Sequence, residues 1–267
     1  MKVARRGDWH ELQNINVKIA FEGDFDDVHL AGDNSKCLPT DTMKNTVYAL
    51  AAQTDDLEEI ESFGLRLAKY FLAENEQVSR VSIDIIEHKY TRIPVDDEPH
   101  PHSFTKSGGE KRTTSIRMTR DGASVESGLE DLTVIKTTKS GFAGFIHDKY
   151  TFLPETNDRI FCTSVKANWR YSRPEAATEE LWSGVRRTIL ETFAGHDSSS
   201  VQHTLHAMGE AVLNTHPDVT EISFSLPNIH CIPVDVSKFG EENKNAIFWP
   251  TEEPHGLIEG RLIRTSD

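Results

Sequence analysis

The sequence predicts an α+β fold in which one plan occurs twice: antiparallel strands that carry a pair of helices on one face. Three observations predict it. Several short segments alternate apolar and polar residues at period two, as half-buried strands do. Others place apolar residues three and four apart, as amphipathic helices do. Both kinds of segment recur in nearly the same order in each half of the 267 residues.

The first half opens with INVKIAF, Ile15 to Phe21, where Asn16 and Lys18 separate apolar positions and mark a strand. Two helices follow. One runs from about Thr42 to Gln53; in the other, LEEIESFGLRLAKYF, residues Leu57, Ile60, Gly64, Leu67 and Phe71 share a face. Asp55 and Glu58 have the spacing of a capping box for the second. RVSIDII returns to period two, TTSIRM at residues 113–118 is its expected partner strand, and the Pro- and His-containing stretch between them reads as a loop.

In the second half VESGLEDLTVIKTT and RIFCTSVKANWRYS read as strands, the latter with Phe161, Val165, Ala167 and Trp169 on one side. Helices from about Thr178 to Phe193 and from Ser200 to Thr215 come next, the last ended by Pro217. EISFSL and GLIEGRLIR close the chain as strands. The expected halves are residues 1–120 and 121–267. The second reads ββααββ, while the first is one strand short, with a strand missing before Asp8. Sheets of this kind leave two long edges open, and closing them across subunits into a barrel removes the hazard. A homo-oligomer is therefore the physical expectation.

The composition narrows the class of function. A 37% hydrophobic fraction with thirteen Phe and four Trp suits a folded chain, and no stretch has the apolar length of a bilayer span. A formal charge of −14 without a basic run repels nucleic acid and anionic membrane surfaces, so neither is an expected partner. MKVARRGDWH lacks the apolar region of a secretory signal, and RTSD is not a peroxisomal tripeptide. Cys37, Cys162 and Cys231, odd in number and far apart, fit neither a disulfide framework nor a zinc site, which points to a reducing cytoplasm. His100 and His102 in DEPHPHSF could ligate a metal, but alternating histidines in such a stretch are more often solvated, and no metal is expected.

Five segments carry more polar chemistry than structure alone requires. Thr40, Asp41 and Thr42 stand in a row at a helix start, where one capping side chain is enough. Their surplus oxygens, and free backbone N–H groups, suit a bound anion; an ordinary cap is the plain alternative. KSGFAGFIHDKYTFLPETNDR sets Phe142 among glycines, Leu153 as an apolar wall and Arg159 as a planar donor for a delocalised anion. Core packing would equally explain Phe142, and a surface ion pair Arg159. In SSSVQHTLHAMG, Val201 and Gln202 occupy a helix's first turn, where the glutamine amide could pair edge-on with a heterocycle or simply face solvent. SLPNIHCIPVD places Asn228 and His230 two apart, on one side of an extended segment, which suits proton transfer beside a small polar ligand. EPHGLIEG offers Ile258 as an apolar lid.

Taken in order, TDTMKNTVY, GFAGFIHDKYTFLPETNDRI, SSSVQHTLHAMG, SLPNIH and PHGLIEG, with DEPHPHSF and DLTVIKTT, resemble the successive motifs of the urate oxidases from about Ile15 to Ile263. The resemblance implies the tunnelling fold, in which two subunits form an antiparallel barrel with helices outside and dimers stack into a homotetramer. It implies sites at subunit interfaces that oxidise urate with O2 and water to 5-hydroxyisourate and hydrogen peroxide, with no metal or organic cofactor. By the same resemblance Arg159 and Gln202 would grip the pyrimidine side of urate with help from the Val201 backbone, and Phe142 would stack on the ring. Thr40 and Asp41 of a neighbouring subunit would meet the imidazole side, Asn228 with Thr40 would hold O2 or water, and His230 would extend a proton relay through Thr40. The family's relay begins at a lysine in a Tyr-Gly-Lys-like motif that has no counterpart here, and Lys2 is not its equivalent. That departure keeps a second reading open, a purine-binding or structural protein of the same fold with little turnover.

Overall fold

The structure, a computed structural model, describes residues 1–251 and 253–265. The chain divides into two compact units, Met1–Gly128 with Arg170–Trp182, and Leu129–Trp169 with the chain from Ser183 onward.

In the first unit, strands β1 (Lys2–Arg6), β2 (Trp9–Gly23), β3 (Val78–Val95), β4 (Glu98–Thr119) and the start of β5 (Gly122–Lys136) are neighbours in that order. Ile19 faces Ile83 across β2 and β3, and Ile83 faces Ile116 across β3 and β4, so one side of the sheet is an apolar stripe. A short helix α1 (Asp26–Leu30) precedes α2 (Thr40–Ala51) and α3 (Ile60–Glu74). Helix α3 buries Ile60, Phe63, Leu67 and Phe71 in one cluster with Val81, Ile83, Ile85 and Ile116. Gly64 permits the close seat, since a Cβ there would lie 2.4 Å from Ile116 Cδ1. The core also holds charge: Glu61 of α3 meets Arg112 of β4 at 2.6 Å, the two side chains 1% and 2% exposed. The other Glu61 oxygen accepts from the Ser127 hydroxyl at 2.6 Å, and Glu179 pairs with the same arginine. These contacts offset part of the pair's desolvation cost, while Arg112 Nε stays buried with no hydrogen-bond partner among the described residues.

Three expectations change here. A strand does precede Asp8: β1 pairs antiparallel with β2, Lys2 opposite Gln13 and Arg6 opposite Trp9. The expected capping box at Asp55 is absent, because α3 starts only at Ile60 and Glu58 is drawn into an ion pair with Arg66 at 2.6 Å. The loop expected between β3 and β4 is a long two-stranded ribbon. Its Asp96–Asp97 tip adopts left-handed backbone angles, the geometry of a two-residue hairpin turn; the register shifts once after His88, opposite residues 107–110, and again after Arg92, beside the prolines.

In the second unit the remainder of β5 is followed by β6 (Phe161–Tyr171) and β7 (Val219–Pro233), with β8 (Phe248–Thr251) and β9 (Leu257–Ile263) both paired to β7. Phe161, Val165, Ala167 and Trp169 are all buried, as their alternation predicts. Helices α4 (Glu179–Gly195) and α5 (Val201–Thr215) follow β6. Helix α5 buries Leu205, Met208 and Val212, and its Gly209 leaves room for Leu262 of β9, which a Cβ would approach to 2.7 Å. Among the described residues no helix is long and apolar enough to cross a membrane.

Candidate functional site

In the second unit the segment 139–142 acts as a hub. On one side Ser140 bridges Ser198, with Gly141 N–H donating to Ser198 O at 2.8 Å and Ser198 N–H to Lys139 O at 2.9 Å. On the other, Phe142 and Thr156 exchange both backbone bonds, at 2.7 and 3.0 Å, and Arg159 N–H donates to Ser140 O at 2.6 Å. The chain thus ties Phe142, Arg159 and the start of α5 into one knot. Ser140 and Ser198 are buried there, a bracing role for two serines that sequence spacing does not disclose.

The Arg159 guanidinium lies 5.3 Å from the centroid of the Phe142 ring. It is half-buried, and the loss of solvent pulls its pKa below the ordinary value. No carboxylate among the described residues lies within ion-pair range of it, so the surface ion pair is not its role. Phe142 is only partly buried, not a core residue, and opens on a cleft of about 380 Å³ lined also by Lys139, Asn157, Asp197 and Ser199. A second ring, Phe145, stacks on Phe142 at 4.7 Å.

Val201 and Gln202 are the first two residues of α5, Val201 buried and Gln202 exposed. Ser200 caps the helix, its hydroxyl accepting from His203 N–H at 3.0 Å. Asn228 and His230 lie in β7, which runs on through Pro227, and their partly buried side chains leave the strand on one side as the spacing predicts. Asn228 N–H donates to Gly256 O at 2.8 Å, and His230 faces Thr251 of β8. Ser223 bonds Asn168 and the Cys231 thiol acts electrostatically on Cys162. The β6 end that follows Arg159 therefore lies toward the Asn228–His230 end of β7. Leu153 is exposed in the loop before Arg159, and Ile258 faces Leu226 across β9 and β7.

Thr40 and Asp41 belong to the first unit. They are the first residues of α2 rather than its caps: the N-cap position is Pro39, whose side chain has no hydrogen-bonding group, and no side chain caps the turn. The reason is local. Pro39, extended and lacking an N–H, stands just outside the helix, so α2 starts two residues before the expected Thr42 and takes Thr40 and Asp41 into its first turn. The Asp41 carboxylate is engaged by Lys44 at 2.6 Å and Asn45 at 2.8 Å, which hold its pKa below the usual carboxylate range. Its backbone N–H, rather than its carboxylate, is what the helix start offers a ligand. Thr40 lines an apolar pocket of about 420 Å³ with Lys2, Gln13, Asn16, Met43 and Tyr48. Lys2 is tied to the loop after α2, donating to Thr54 O, Thr54 Oγ1 and Asp56 O at 2.8, 2.9 and 2.6 Å. His100 and His102 pack edge to face at 4.4 Å, and no group of three or more potential metal-ligating residues is found among the described residues.

Comparison with known proteins gives a consistent result. The family model described as Uricase matches residues 1–117 and 125–259. The chain is 40% identical over 264 residues to the Uricase of Arthrobacter globiformis, an alignment covering 99% of this chain and 85% of that protein. It is 40% identical to the Uricase-2 isozyme 1 of Glycine max, covering 96% and 88% of the two. The crystal structure of uricase from Arthrobacter globiformis superposes with a TM-score of 0.94, covering 100% of this chain and 91% of that one.

Proposed function

The chain belongs to the uricase family, and on that premise we propose how its residues carry out the oxidation of urate. The enzyme is a urate oxidase. Two electrons leave the electron-rich urate anion for O2, water adds at the oxidised ring carbon, and 5-hydroxyisourate and hydrogen peroxide result. The protein's task is to orient the flat anion, move its protons and hold oxygen beside it.

Arg159 and Gln202 grip the pyrimidine side of urate, the guanidinium by paired N–H donors and the amide edge-on, with the Val201 backbone N–H between them. Phe142 stacks on the ring and Leu153 walls the site. Thr40 and Asp41 of a neighbouring subunit close the imidazole side, Asp41 through its backbone N–H and Thr40 through its hydroxyl. Asn228 and Thr40 hold O2, peroxide or water over the ring. His230 continues the proton path, since an imidazole can accept a proton at one ring nitrogen and donate from the other. The assembly is a homotetramer with sites at subunit interfaces, and the two repeats of each chain are residues 1–120 and 121–267. Three free cysteines accord with a cytoplasmic setting.

The observation that carries these roles is Arg159: a half-buried cation beside an aromatic face, with no carboxylate partner among the described residues. The test follows urate absorbance and peroxide release together. Thr40→Ala is expected to lower kcat by about 10²-fold with KM within threefold, the scale of a lost proton-transfer group. A rise in KM with kcat intact would remove Thr40 from the relay.

A further inference from the structure

We propose that Phe145 is a positioning residue for the substrate-stacking ring, backing Phe142 and held in turn by a clasp between His147 and Glu155. The inference rests on the reading that Phe142 stacks on urate. It begins in the short stretch GFAGF, where two rings are separated by Ala143 and Gly144. Gly144 has φ +72°, a conformation that costs glycine little and other residues more, and the chain folds back there. The two rings stack with centroids 4.7 Å apart and planes 16° from parallel. His147 continues the stack on Phe145 at 4.9 Å and again 16°.

The stack is closed into a circuit. His147 Nε2 lies 3.0 Å from Glu155 Oε1, and the same carboxylate accepts from the Gly144 N–H, so the turn and the third ring are fixed by one side chain. Those two bonds hold the Glu155 carboxyl below its ordinary pKa, the histidine's first and the backbone's second. The next residue, Thr156, is the one that pairs its backbone with Phe142. The clasp therefore starts and ends at Phe142. None of the rings belongs to the buried core, so packing of the fold does not explain the arrangement. A ring already stacked on one face has less freedom to lose when a flat purine settles on the other, and ordering before binding is a direct gain in affinity.

The experiment compares KM and kcat for urate, and the dissociation constant of xanthine as a planar purine probe, in five variants of the enzyme. Phe145→Ala is expected to raise both KM and the xanthine constant about three- to tenfold, the range of an aromatic pair, with a smaller fall in kcat. Phe145→Tyr, which keeps the ring, is expected to restore both. Phe145→Leu, which keeps bulk without the ring, is expected to fall between them. Ile146→Ala, in the same loop and 91% exposed, is expected to match the unsubstituted enzyme. Unchanged xanthine binding in Phe145→Ala, or full restoration by Phe145→Leu, overturns the proposal. Phe142→Ala separates the two readings. If it leaves xanthine binding intact, the stacking role itself fails; if it weakens binding while Phe145→Ala does not, only the positioning role fails.

Discussion

Helices α2 and α5 occupy comparable places in the two halves, and each offers its first two residues to the proposed site, yet their starts are finished differently. Ser200 caps α5 and takes up the His203 N–H. At α2 the preceding residue is Pro39, and no side chain caps the turn. The two units also treat buried charge differently. The first encloses Arg112 with Glu61 and Glu179. The second leaves half-buried Arg159 beside Phe142, without a carboxylate partner among the described residues. Where charge is satisfied within the fold it holds the fold; where it is not, it is available to bind an anion.

The largest effect on stability is expected from Glu61→Ala. Removing that carboxylate deprives Arg112 of its buried partner and is expected to cost about 3–5 kcal/mol, read as a drop in the urea midpoint. Arg159→Ala, the matching change in the second unit, is expected to leave that midpoint within about 0.5 kcal/mol. It should instead raise KM about 10²-fold, the loss expected for charged, paired hydrogen bonds, with Arg159→Lys recovering only part because an ammonium lacks the planar fork. Equal effects of the two changes on stability would erase the distinction.

The contrast between helix starts is finer. Ser200→Ala is expected to destabilise by about 1 kcal/mol, whereas Thr40→Ala, at a start without a cap, should move stability by less than about 0.5 kcal/mol. The smallest effect concerns pH. Burial lowers the pKa of His196 and of His216 below the ordinary 6.5, both in the second unit. Above 6.5 neither residue is protonated folded or unfolded, so neither changes stability. As pH falls through 6.5 the unfolded chain takes up protons that the folded chain resists, and stability declines until the lower folded values are passed. Thermal unfolding between pH 7.5 and 5.5 is expected to show that decline, and His196→Gln with His216→Gln to flatten it.

Strand and helix order was legible because the apolar period is strong where a face is buried, as in Val81, Ile83 and Ile85 or in Val165, Ala167 and Trp169. What escaped has local causes. Strands β1 and β8 span Lys2–Arg6 and Phe248–Thr251, too short to show a period, and the Pro94 and Pro99 pair disguised the β3–β4 ribbon as a loop. The polar row at Thr40–Thr42 signalled an unusual helix start, although not that Pro39 would place it inside the helix. The isolation of Arg159 and the Phe142–Phe145–His147 stack are tertiary facts, set by which partners fold back and which do not.

The central claim is that each site takes its threonine corner from one subunit and its arginine and glutamine from another. Co-expression of differently tagged Thr40→Ala and Arg159→Ala chains, followed by purification of the hybrid oligomers, tests it directly. Each variant alone should be nearly inactive at low urate. Hybrids should regain turnover, because some of their sites then combine an intact Thr40 with an intact Arg159 from different chains. Hybrids no more active than either parent would contradict the account.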